Sequence, residues 1–370
     1  MFRGCYEKYK KDPKDDTFFF NATSFLVITS KNPLDGGLAA ANIENMAVAE
    51  GAGVLFSGYT KAVVENSDVL REWLGIGKRT VVGCMRMGDL EQTEADNYIA
   101  EAVDMGAVFF DHADIYGAGK CEEMFGKYLH KNPALRDRII LQSKCSIVPG
   151  VMYDCSKEHI LESVDGILKR LQTEYLDVLL LHRPDALVEP EEVAEAFDKL
   201  ETAGKVRYFG VSNHKPSQIQ LLKKYVKQDI AANQLQLSIP NSNMITNGME
   251  VNMLTDGAAD RDGSVLDFCR LNDITIQTWS PFQYGFFEGV FLGNDKFEEL
   301  NKLLKELAEK YNTTDTAIAA AWIMRHPAGM QLVAGTMKLS RLQEICRASE
   351  IVLTREEWYQ IYLAGGHILP

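Results

Sequence analysis

The sequence predicts an α/β protein, a (β/α)8 TIM barrel, on the basis of its alternating pattern and of a motif it lacks. From about Thr80 onward, short apolar runs rich in branched residues alternate with amphipathic segments of helical period, as in the βα units of a parallel sheet. Eight such units can be counted, the number that closes a barrel. An open doubly wound sheet would normally carry a GxGxxG turn after its first strand, whereas here that run leads into Gly83-Cys84-Met85-Arg86.

The predicted strands are short runs enriched in the branched and aromatic residues that favour pleated structure. In chain order they are Thr80–Cys84, Val108–Asp111, Ile139–Lys144, Val178–His182, Tyr208–Ser212, Ala232–Gln236, Thr275–Trp279 and Leu332–Ala334. Because parallel strands end on a common face, residues at their C-terminal ends are expected to surround one mouth.

The predicted helices follow the strands one by one and are recognised by apolar residues three and four positions apart. They are Glu94–Met105, Glu122–Leu129, Lys157–Leu171, Glu191–Ala203, Ser217–Tyr225, Val265–Leu271, Phe297–Tyr311 and Leu339–Ala348. Two longer interruptions, Leu237–Ser264 and Pro281–Asp295, follow strands, so in a barrel both are expected to overhang the active-site face.

The domain boundary is predicted near residue 77. Residues 78–370 form the barrel, and residues 1–77 are an N-terminal extension to which the sequence assigns no role. The longest apolar stretch of this extension, Phe18 to Ile28, is broken by polar residues and follows a run of mixed charge, which is a poor signal peptide. No transmembrane span follows it.

Composition excludes several classes of function. The chain has 370 residues, of which 46% are hydrophobic and 25% charged, typical of a folded protein with a full core. Its net charge of −13 argues against nucleic-acid or membrane partners, since no basic patch offsets it. Seven scattered cysteines without CxxC spacing argue against a disulfide framework or a thiolate zinc site and favour reduced thiols in the cytoplasm. The oligomeric state is left open.

Polar side chains end three successive predicted strands. Asp111, with Tyr116 shortly after it, Lys144 and His182 are the residues concerned. A lysine ammonium beside a tyrosine lowers the pKa of the phenol, an aspartate would orient the lysine, and a histidine can donate to a developing oxyanion. Singly, each has a simpler interpretation as a cap, loop aromatic, surface charge or buried imidazole. Together they are expected to partner one another, because isolated polar groups are costly to bury.

These segments resemble the aldo-keto reductases from about Thr80 to the C-terminus. The resemblance rests on Phe110-Asp111-His112-Ala113-Asp114-Ile115-Tyr116-Gly117, Gln142-Ser143-Lys144-Cys145, Leu179-Leu180-Leu181-His182-Arg183-Pro184 and Gly210-Val211-Ser212-Asn213. It implies a barrel that binds a nicotinamide dinucleotide and reduces a small-molecule aldehyde or ketone. It also implies that Tyr116 is the general acid, that Lys144 and Asp111 tune it, and that His182 orients the carbonyl.

The resemblance also implies a set of cofactor-binding residues. Ser212, Asn213 and Gln234 correspond to the residues that hold the nicotinamide carboxamide, and Trp279 to the aromatic stacked on the nicotinamide. Ser280 and Phe282 begin the segment similar to the pyrophosphate loop. The adenosine-phosphate end corresponds to Gly335, Thr336, Lys338, Arg341 and Glu344.

The preference for NADP(H), with NAD(H) as the alternative, depends on charge at that adenosine end. Gly335 stands where many members have a lysine, and Ile345 where many have an asparagine. Lys338 and Arg341 are the residues left to meet a 2′-phosphate. At the N-terminal side, only Leu74-Gly75-Ile76-Gly77 is similar to the hairpin that plugs the barrel bottom in other members.

Other functions are compatible with parts of the pattern. Some barrels of this family act as regulatory subunits with little turnover, which makes a cofactor-binding sensor the leading alternative. A metallohydrolase is an alternative based on His112, Asp114, His182 and His214. Hydride chemistry explains the pairing of a lysine with a tyrosine better, and metal-ligand spacing is otherwise missing. Arg86 and Arg183 are interpreted as partners of acidic neighbours in preference to ligands of an anionic substrate.

Overall fold

Eight parallel strands close into a barrel in which each strand pairs with its neighbours in chain order and the last pairs with the first. This computed structural model describes residues 81–105, 107–286 and 288–369. The strands are β1 (Val81–Cys84), β2 (Phe109–Asp111), β3 (Ile140–Cys145), β4 (Leu176–Leu181), β5 (Val206–Ser212), β6 (Ile230–Gln236), β7 (Thr275–Trp279) and β8 (Gln331–Ala334). The predicted (β/α)8 barrel is therefore confirmed. The extension and Leu74–Gly77 lie outside the described residues, and the boundary at residue 77 stays a prediction.

Strand β4 begins two residues earlier than the apolar pattern predicts, because an acidic residue inside it has buried partners. Asp177 accepts a hydrogen bond from the backbone N–H of Leu141 (2.9 Å) and pairs with Arg136 (2.8 Å) and Arg207 (2.9 Å). The same two guanidinium groups lie 3.6 and 3.9 Å from the ring centroid of Tyr175. A carboxylate with such partners is tolerated in a barrel strand, which a hydrophobicity pattern does not indicate.

Helices follow every strand and cover the outside of the barrel. They are α1 (Gln92–Asp104), α2 (Lys120–Lys131), α3 (Lys157–Leu171), α4 (Pro190–Thr202), α5 (Pro216–Lys223), α6 (Asn243–Met249), α7 (Val265–Leu271), α8 (Glu298–Lys310), α9 (Asp315–Met324), α10 (Leu339–Arg347) and α11 (Arg355–Ala364). Their starts follow ordinary capping chemistry: the Ser156 hydroxyl accepts from the N–H of His159 at the start of α3, and Pro190 and Pro216 occupy first-turn positions.

Three helices, α6, α9 and α11, were not among the predicted ones. Every residue of α9 from Thr316 to Met324 is buried, so this helix has no polar face and no amphipathic period. It packs on α11 through Trp322 and Trp358, whose rings stack at 4.9 Å. Each indole N–H donates to the backbone carbonyl of the other tryptophan (3.0 Å). The sequence pattern predicted one helix after each strand and therefore did not indicate the additional helices α9 and α11.

The two long segments after β6 and β7 meet above the barrel. The first, Leu237–Ser264, contains α6 and a short 3₁₀ helix (Asp256–Ala258), and the second contains a hairpin of Gln283–Tyr284 and Gly289–Val290. The Ser238 hydroxyl donates to the carbonyl of Gln283 (2.6 Å), and Gln236 Nε2 donates to the carbonyl of Gly285 (2.7 Å). Because both segments start at C-terminal strand ends, they border the mouth, as predicted. Among the described helices, none has the length and apolar character needed to cross a bilayer.

Candidate active site

The ends of β2, β3 and β4 bring together the polar residues predicted from the sequence. Asp111 is the last residue of β2, Lys144 lies near the end of β3, and His182 follows β4 directly. The backbone N–H of His182 donates to the carbonyl of Cys145 (2.8 Å), which fixes the position of this histidine next to β3. Three neighbouring parallel strands therefore present these side chains at one end of the barrel.

Lys144 is fully buried and its ammonium is surrounded by oxygen atoms. Its Nζ donates to Asp111 Oδ2 (2.7 Å), to the carbonyl oxygen of His112 (2.7 Å) and to the hydroxyl of Tyr116 (3.3 Å). Asp111 is also fully buried. A buried ammonium is stable only with such partners, so the geometry both explains how the lysine is tolerated and fixes its charge beside the phenol.

Tyr116 reaches the lysine because the chain turns sharply after β2. A 3₁₀ turn begins at this tyrosine, and Gly117, Ala118 and Gly119 then adopt positive φ angles of 56°, 52° and 90°. The half-buried phenol ring stands edge-on to the imidazole of His182, with ring centroids 6.1 Å apart. The guanidinium carbon of Arg86 lies 4.9 Å from the centroid of the same ring. The phenol thus faces the mouth between a lysine, a histidine and an arginine.

His182 is held in its neutral form. Burial lowers its pKa well below the usual value, and the positive charges of Lys144, Arg183 and Arg86 lower it further. Its Nδ1 is buried without a hydrogen-bond partner among the described residues. Buried N–H groups without a partner are rarer in proteins than buried acceptors without one, so we place the single ring proton on Nε2. A neutral imidazole with this tautomer is a hydrogen-bond donor at the mouth.

A layer of glutamine amides lies inside the barrel beneath the lysine and binds Asp111 from the other side. Gln142 Nε2 donates to Asp111 Oδ1 (2.6 Å) and to Gln277 Oε1 (2.8 Å). Gln277 Nε2 donates to Gln142 Oε1 (3.1 Å) and Gln331 Oε1 (3.0 Å), and Gln234 Nε2 donates to Asp111 Oδ1 (3.3 Å). Strand register creates this layer, because Asp111 pairs with Gln142, and Gln277 with both Gln234 and Gln331. Asp111 therefore keeps its orientation through several donors.

Sequence reasoning did not single out Gln142, Gln277 or Gln331. A signal was present, because Gln142 and Gln277 each interrupt an otherwise apolar run and Gln331 directly precedes one, at positions whose side chains face the barrel interior. One interior polar residue on each of several neighbouring strands indicates a shared hydrogen-bonded layer. Recognising it requires the register between strands, which the sequence alone does not give.

The residues predicted to hold the nicotinamide also cluster. Ser212 Oγ and the backbone N–H of Asn213 both donate to the carbonyl of Gln234 (3.0 Å each), and Asn213 Nδ2 donates to Ser212 Oγ (2.8 Å). Trp279 Nε1 donates to Asn213 Oδ1 (3.1 Å), which orients the half-buried indole. The side chain of Gln234 itself belongs to the glutamine layer. The cluster therefore presents a hydroxyl, an amide and an aromatic face close to the group formed by Asp111, Tyr116, Lys144 and His182.

The remaining predicted cofactor residues lie on the segments after β7 and β8. Ser280 has a positive φ of 51°, and Phe282 is half-buried against the core. The hydroxyl of Tyr98 donates to the carbonyl of Thr336 (2.7 Å), and Thr336 Oγ1 accepts from the N–H of Lys338 (3.1 Å). The others are exposed Gly335, Lys338 and Arg341 and half-buried Glu344, with Arg341 and Glu344 on α10. Two cations thus stand at the edge of the mouth.

His112 and Asp114, the residues behind the metallohydrolase alternative, have other surroundings. Both ring nitrogens of His112 lack a partner among the described residues, and its ring packs edge-on to Phe125 at 4.7 Å. Burial and then the charge of Lys144 lower the pKa of His112 to about 3. In residues 81–369, apart from the two that are not described, no group of three or more His, Cys, Asp or Glu side chains is arranged to hold a metal ion.

Comparison with known proteins gives one consistent result. The sequence matches the model of the aldo/keto reductase family over residues 79–363. The uncharacterized oxidoreductase YcsN of Bacillus subtilis (strain 168) is 35% identical over 306 residues, which cover 79% of this chain and 96% of the relative. A 6-dehydroglucose reductase of Agrobacterium fabrum is 31% identical over 77% of this chain and 93% of its own. The crystal structure of an aldo-keto reductase from Klebsiella pneumoniae in complex with NADPH has the same fold, with a TM-score of 0.62 at 24% identity over 80% of this chain and 93% of that one.

Proposed function

Because the chain belongs to the aldo/keto reductase family, we propose that it reduces the carbonyl group of an aldehyde or ketone with NADPH as the reductant. The observation that carries this proposal is the contact between the Tyr116 hydroxyl and the buried Lys144 ammonium (3.3 Å). A phenol in this position gives up its proton more easily, since the adjacent positive charge stabilises the phenolate that remains.

Tyr116 is the proposed general acid. It would protonate the carbonyl oxygen as the carbonyl carbon is reduced, so that no free alkoxide forms. Lys144 would hold the hydroxyl and stabilise the phenolate, and Asp111 would keep the lysine charged and oriented through its 2.7 Å hydrogen bond. The glutamine layer would fix Asp111 in turn. Each role matches a contact described above.

His182 is the proposed orienting donor. A neutral imidazole that carries its proton on Nε2 can hydrogen-bond the carbonyl oxygen without competing with Tyr116 as an acid. The low pKa of His182 supports this role, because a pKa well below the usual value keeps the ring neutral near pH 7. The carbonyl oxygen would thus be bound by two donors, Tyr116 and His182.

The cofactor fits the residues that the structure clusters at the mouth. When bound, NADPH supplies the hydride. The Ser212 hydroxyl and the Asn213 side chain offer the donors and acceptors that a carboxamide needs, and Trp279 offers a flat face for stacking. Ser280, Phe282, Gly335, Thr336 and Glu344 are the proposed contacts of the dinucleotide body. Lys338 and Arg341 would meet the 2′-phosphate, which favours NADPH over NADH.

Steady-state kinetics with one variant tests the proposal. NADPH consumption would be followed with aromatic, aliphatic and dicarbonyl substrates for the wild type, for Tyr116→Phe and for Tyr128→Phe, a matched control on α2 outside the site. We expect Tyr116→Phe to lower kcat/KM by about 100-fold or more while the dissociation constant for NADPH changes by less than about threefold. The control should match the wild type.

Two results would contradict the proposal. A Tyr116→Phe variant with full activity would remove the tyrosine from the chemistry. A wild-type protein that binds NADPH tightly but reduces none of the carbonyl compounds would favour the sensor function over the enzyme.

A further inference from the structure

Two arginines flank the proposed reaction centre, one after β1 and one after β4. The guanidinium carbon of Arg86 lies 4.9 Å from the ring centroid of Tyr116, and that of Arg183 lies 6.0 Å from the ring of Trp279. Arg183 directly follows His182 in the chain, and both arginines act electrostatically on the His182 ring. Together with Lys144 they bring three positive charges to the phenol, the imidazole and the indole.

Two acidic side chains near this cluster, Asp111 at the end of β2 and Asp185 two residues after Arg183, bind other partners. Asp111 binds Lys144 and the glutamine layer. Asp185 Oδ2 accepts from the backbone N–H of Cys155 (3.0 Å) and Oδ1 from that of Leu187 (2.8 Å). Among the described residues, no acidic side chain forms an ion pair with Arg183, contrary to the structural pairing expected from the sequence.

The positive charge around the reaction centre has the opposite sign to the net charge of the protein. The chain carries a net charge of −13, so its surface repels anions at long range. The half-buried Arg183 guanidinium forms no ion pair with an acidic side chain of the described residues, so its positive charge is available to an anion at the reaction centre. A planar guanidinium also matches a carboxylate, because two parallel N–H groups can bind its two oxygens.

Building on the proposed carbonyl reduction, we propose that the substrate is a carbonyl compound that carries a carboxylate, bound by Arg183, while Arg86 adds positive charge beside the Tyr116 ring. The carboxylate would anchor the molecule at Arg183 while its carbonyl oxygen lies between Tyr116 and His182. The arginines then act on specificity: they select and align the substrate, whereas the proton transfer stays with Tyr116.

A rival role for Arg183 is binding of a phosphate of the dinucleotide. This role is supported by the position of its guanidinium group 6.0 Å from the ring of Trp279, on which the nicotinamide is proposed to stack. The two roles predict different kinetic effects of a substitution that removes the charge of Arg183. Loss of a carboxylate anchor raises KM for charged substrates only, whereas loss of a phosphate contact raises KM for NADPH with every substrate.

A matched pair of substrates tests the proposal. The full-length protein would reduce para-carboxybenzaldehyde and its methyl ester, two aromatic aldehydes that differ in charge at a position remote from the carbonyl. The variants are Arg183→Gln, which removes the charge, Arg183→Lys, which keeps it, and Arg347→Gln, an exposed arginine at the end of α10, as the control.

For the wild type we expect the carboxylate substrate to have a kcat/KM at least about tenfold above that of the ester, with the advantage shrinking as salt is added. Arg183→Gln should lose about 10- to 100-fold on the carboxylate substrate, mostly in KM, and change the ester and the KM for NADPH little. Arg183→Lys should retain part of the advantage, and Arg347→Gln all of it. Calorimetric binding of the alcohol product, para-(hydroxymethyl)benzoate, to the NADP⁺-bound protein should weaken by the same factor.

The outcomes separate this proposal from the proposed function. Equal activity on both aldehydes, unaffected by Arg183→Gln, would overturn the anionic substrate and leave carbonyl reduction intact. A higher KM for NADPH with both substrates would assign Arg183 to the cofactor instead. Reduction of neither aldehyde, with no calorimetric binding of the benzoate product, would contradict both proposals.

Discussion

At the scale of single residues, the site is defined by what holds its buried charges. Lys144 has no solvent exposure, yet three oxygen atoms lie within 3.3 Å of its ammonium. Removing one partner of a buried ion pair leaves an uncompensated charge, which commonly costs about 3–5 kcal/mol. The catalytic and the structural roles of Asp111 and Lys144 are therefore inseparable, and variants of neighbouring residues give cleaner tests.

Gln142 is such a neighbour, and we expect it to be a positioning residue. Gln142→Leu removes the 2.6 Å donor to Asp111 Oδ1 but leaves Lys144, Tyr116 and the cofactor cluster in place. A hydrogen bond to a charged group is worth about 1.5–3 kcal/mol, so kcat should fall by about 10- to 100-fold. The KM for NADPH should stay within about twofold of the wild type, because Ser212, Asn213 and Trp279 are held by one another and by the backbone of Gln234, and not by Gln142.

The control for this variant is Gln360→Leu, an exposed change on α11 outside the barrel. Both variants would be compared in steady-state kinetics and in urea unfolding. A Gln142→Leu protein that loses stability but keeps the wild-type kcat would show that the glutamine layer only holds the barrel together.

Asp114 should make the stability of the barrel depend on pH. Burial and then the charge of Glu122 raise the pKa of Asp114 from an ordinary value of 3.8 to about 7, and its Oδ1 has no hydrogen-bond partner among the described residues. The carboxyl group of Asp114 therefore binds its proton more tightly in the folded protein than in the unfolded chain. The resulting stabilisation is complete below about pH 4 and is lost as the pH rises through about 7, by up to about 1.4 kcal/mol per pH unit.

Asp114→Asn should remove this dependence. We expect the variant to be more stable than the wild type at about pH 8 and to lose less stability between about pH 5 and pH 8, as measured by urea unfolding at several pH values. Asp137→Asn, the same substitution at an exposed aspartate shortly before β3, serves as the control. Parallel curves for wild type and Asp114→Asn would contradict the raised pKa.

At the scale of elements, close helix contact requires a glycine on α2. A Cβ atom added to Gly126 would overlap the carbonyl oxygen of Arg170 and lie 2.9 Å from Leu171 Cα, both at the end of α3. Backbone atoms cannot move aside as a flexible side chain can. Gly126→Ala should therefore lower the free energy of unfolding by about 1–3 kcal/mol, the usual cost of overpacking.

The matched control is Gly248→Ala, because this helical glycine on α6 has open space around its Cβ position. There the substitution should be neutral or stabilise the protein by about 0.5–1 kcal/mol through helix propensity. Urea unfolding of both variants measures the difference. If Gly126→Ala were as stable as the wild type, α2 and α3 could not be packed as closely as described.

Elements with a clear period were predictable and those without one were not. Helix α3 and strand β7 begin and end at the predicted residues, because their apolar residues follow a single period and their ends carry a serine cap or polar neighbours. Helix α9 was not predicted because it is apolar on every side. The predicted start of β4, Val178, was two residues too late because the charged Asp177 is untypical of a buried strand. In both, the deciding information is tertiary: a second helical layer and two arginine partners.

At the scale of the whole molecule, the sequence predicted the barrel and the residues around its mouth because parallel topology gathers strand ends. Asp111, Lys144 and His182 are separated by more than thirty positions in the chain, yet they meet at neighbouring strands. The glutamine layer and the charge balance around Arg183 were not predictable, since both depend on register and on which acids are already paired. The five cysteines whose side chains the structure describes, Cys121, Cys145, Cys155, Cys269 and Cys346, are free thiols.

The most direct test of the central claim is the transfer of deuterium from the cofactor to the product. NADPH labelled stereospecifically at C4 of the nicotinamide would be incubated with the protein and an aldehyde, and the alcohol analysed by mass spectrometry. We predict one deuterium on the former carbonyl carbon with one of the two C4 epimers, none with the other, and transfer lowered by about 100-fold or more in Tyr116→Phe. Consumption of NADPH without label in the alcohol, or equal transfer by Tyr116→Phe, would contradict hydride reduction with Tyr116 as the acid.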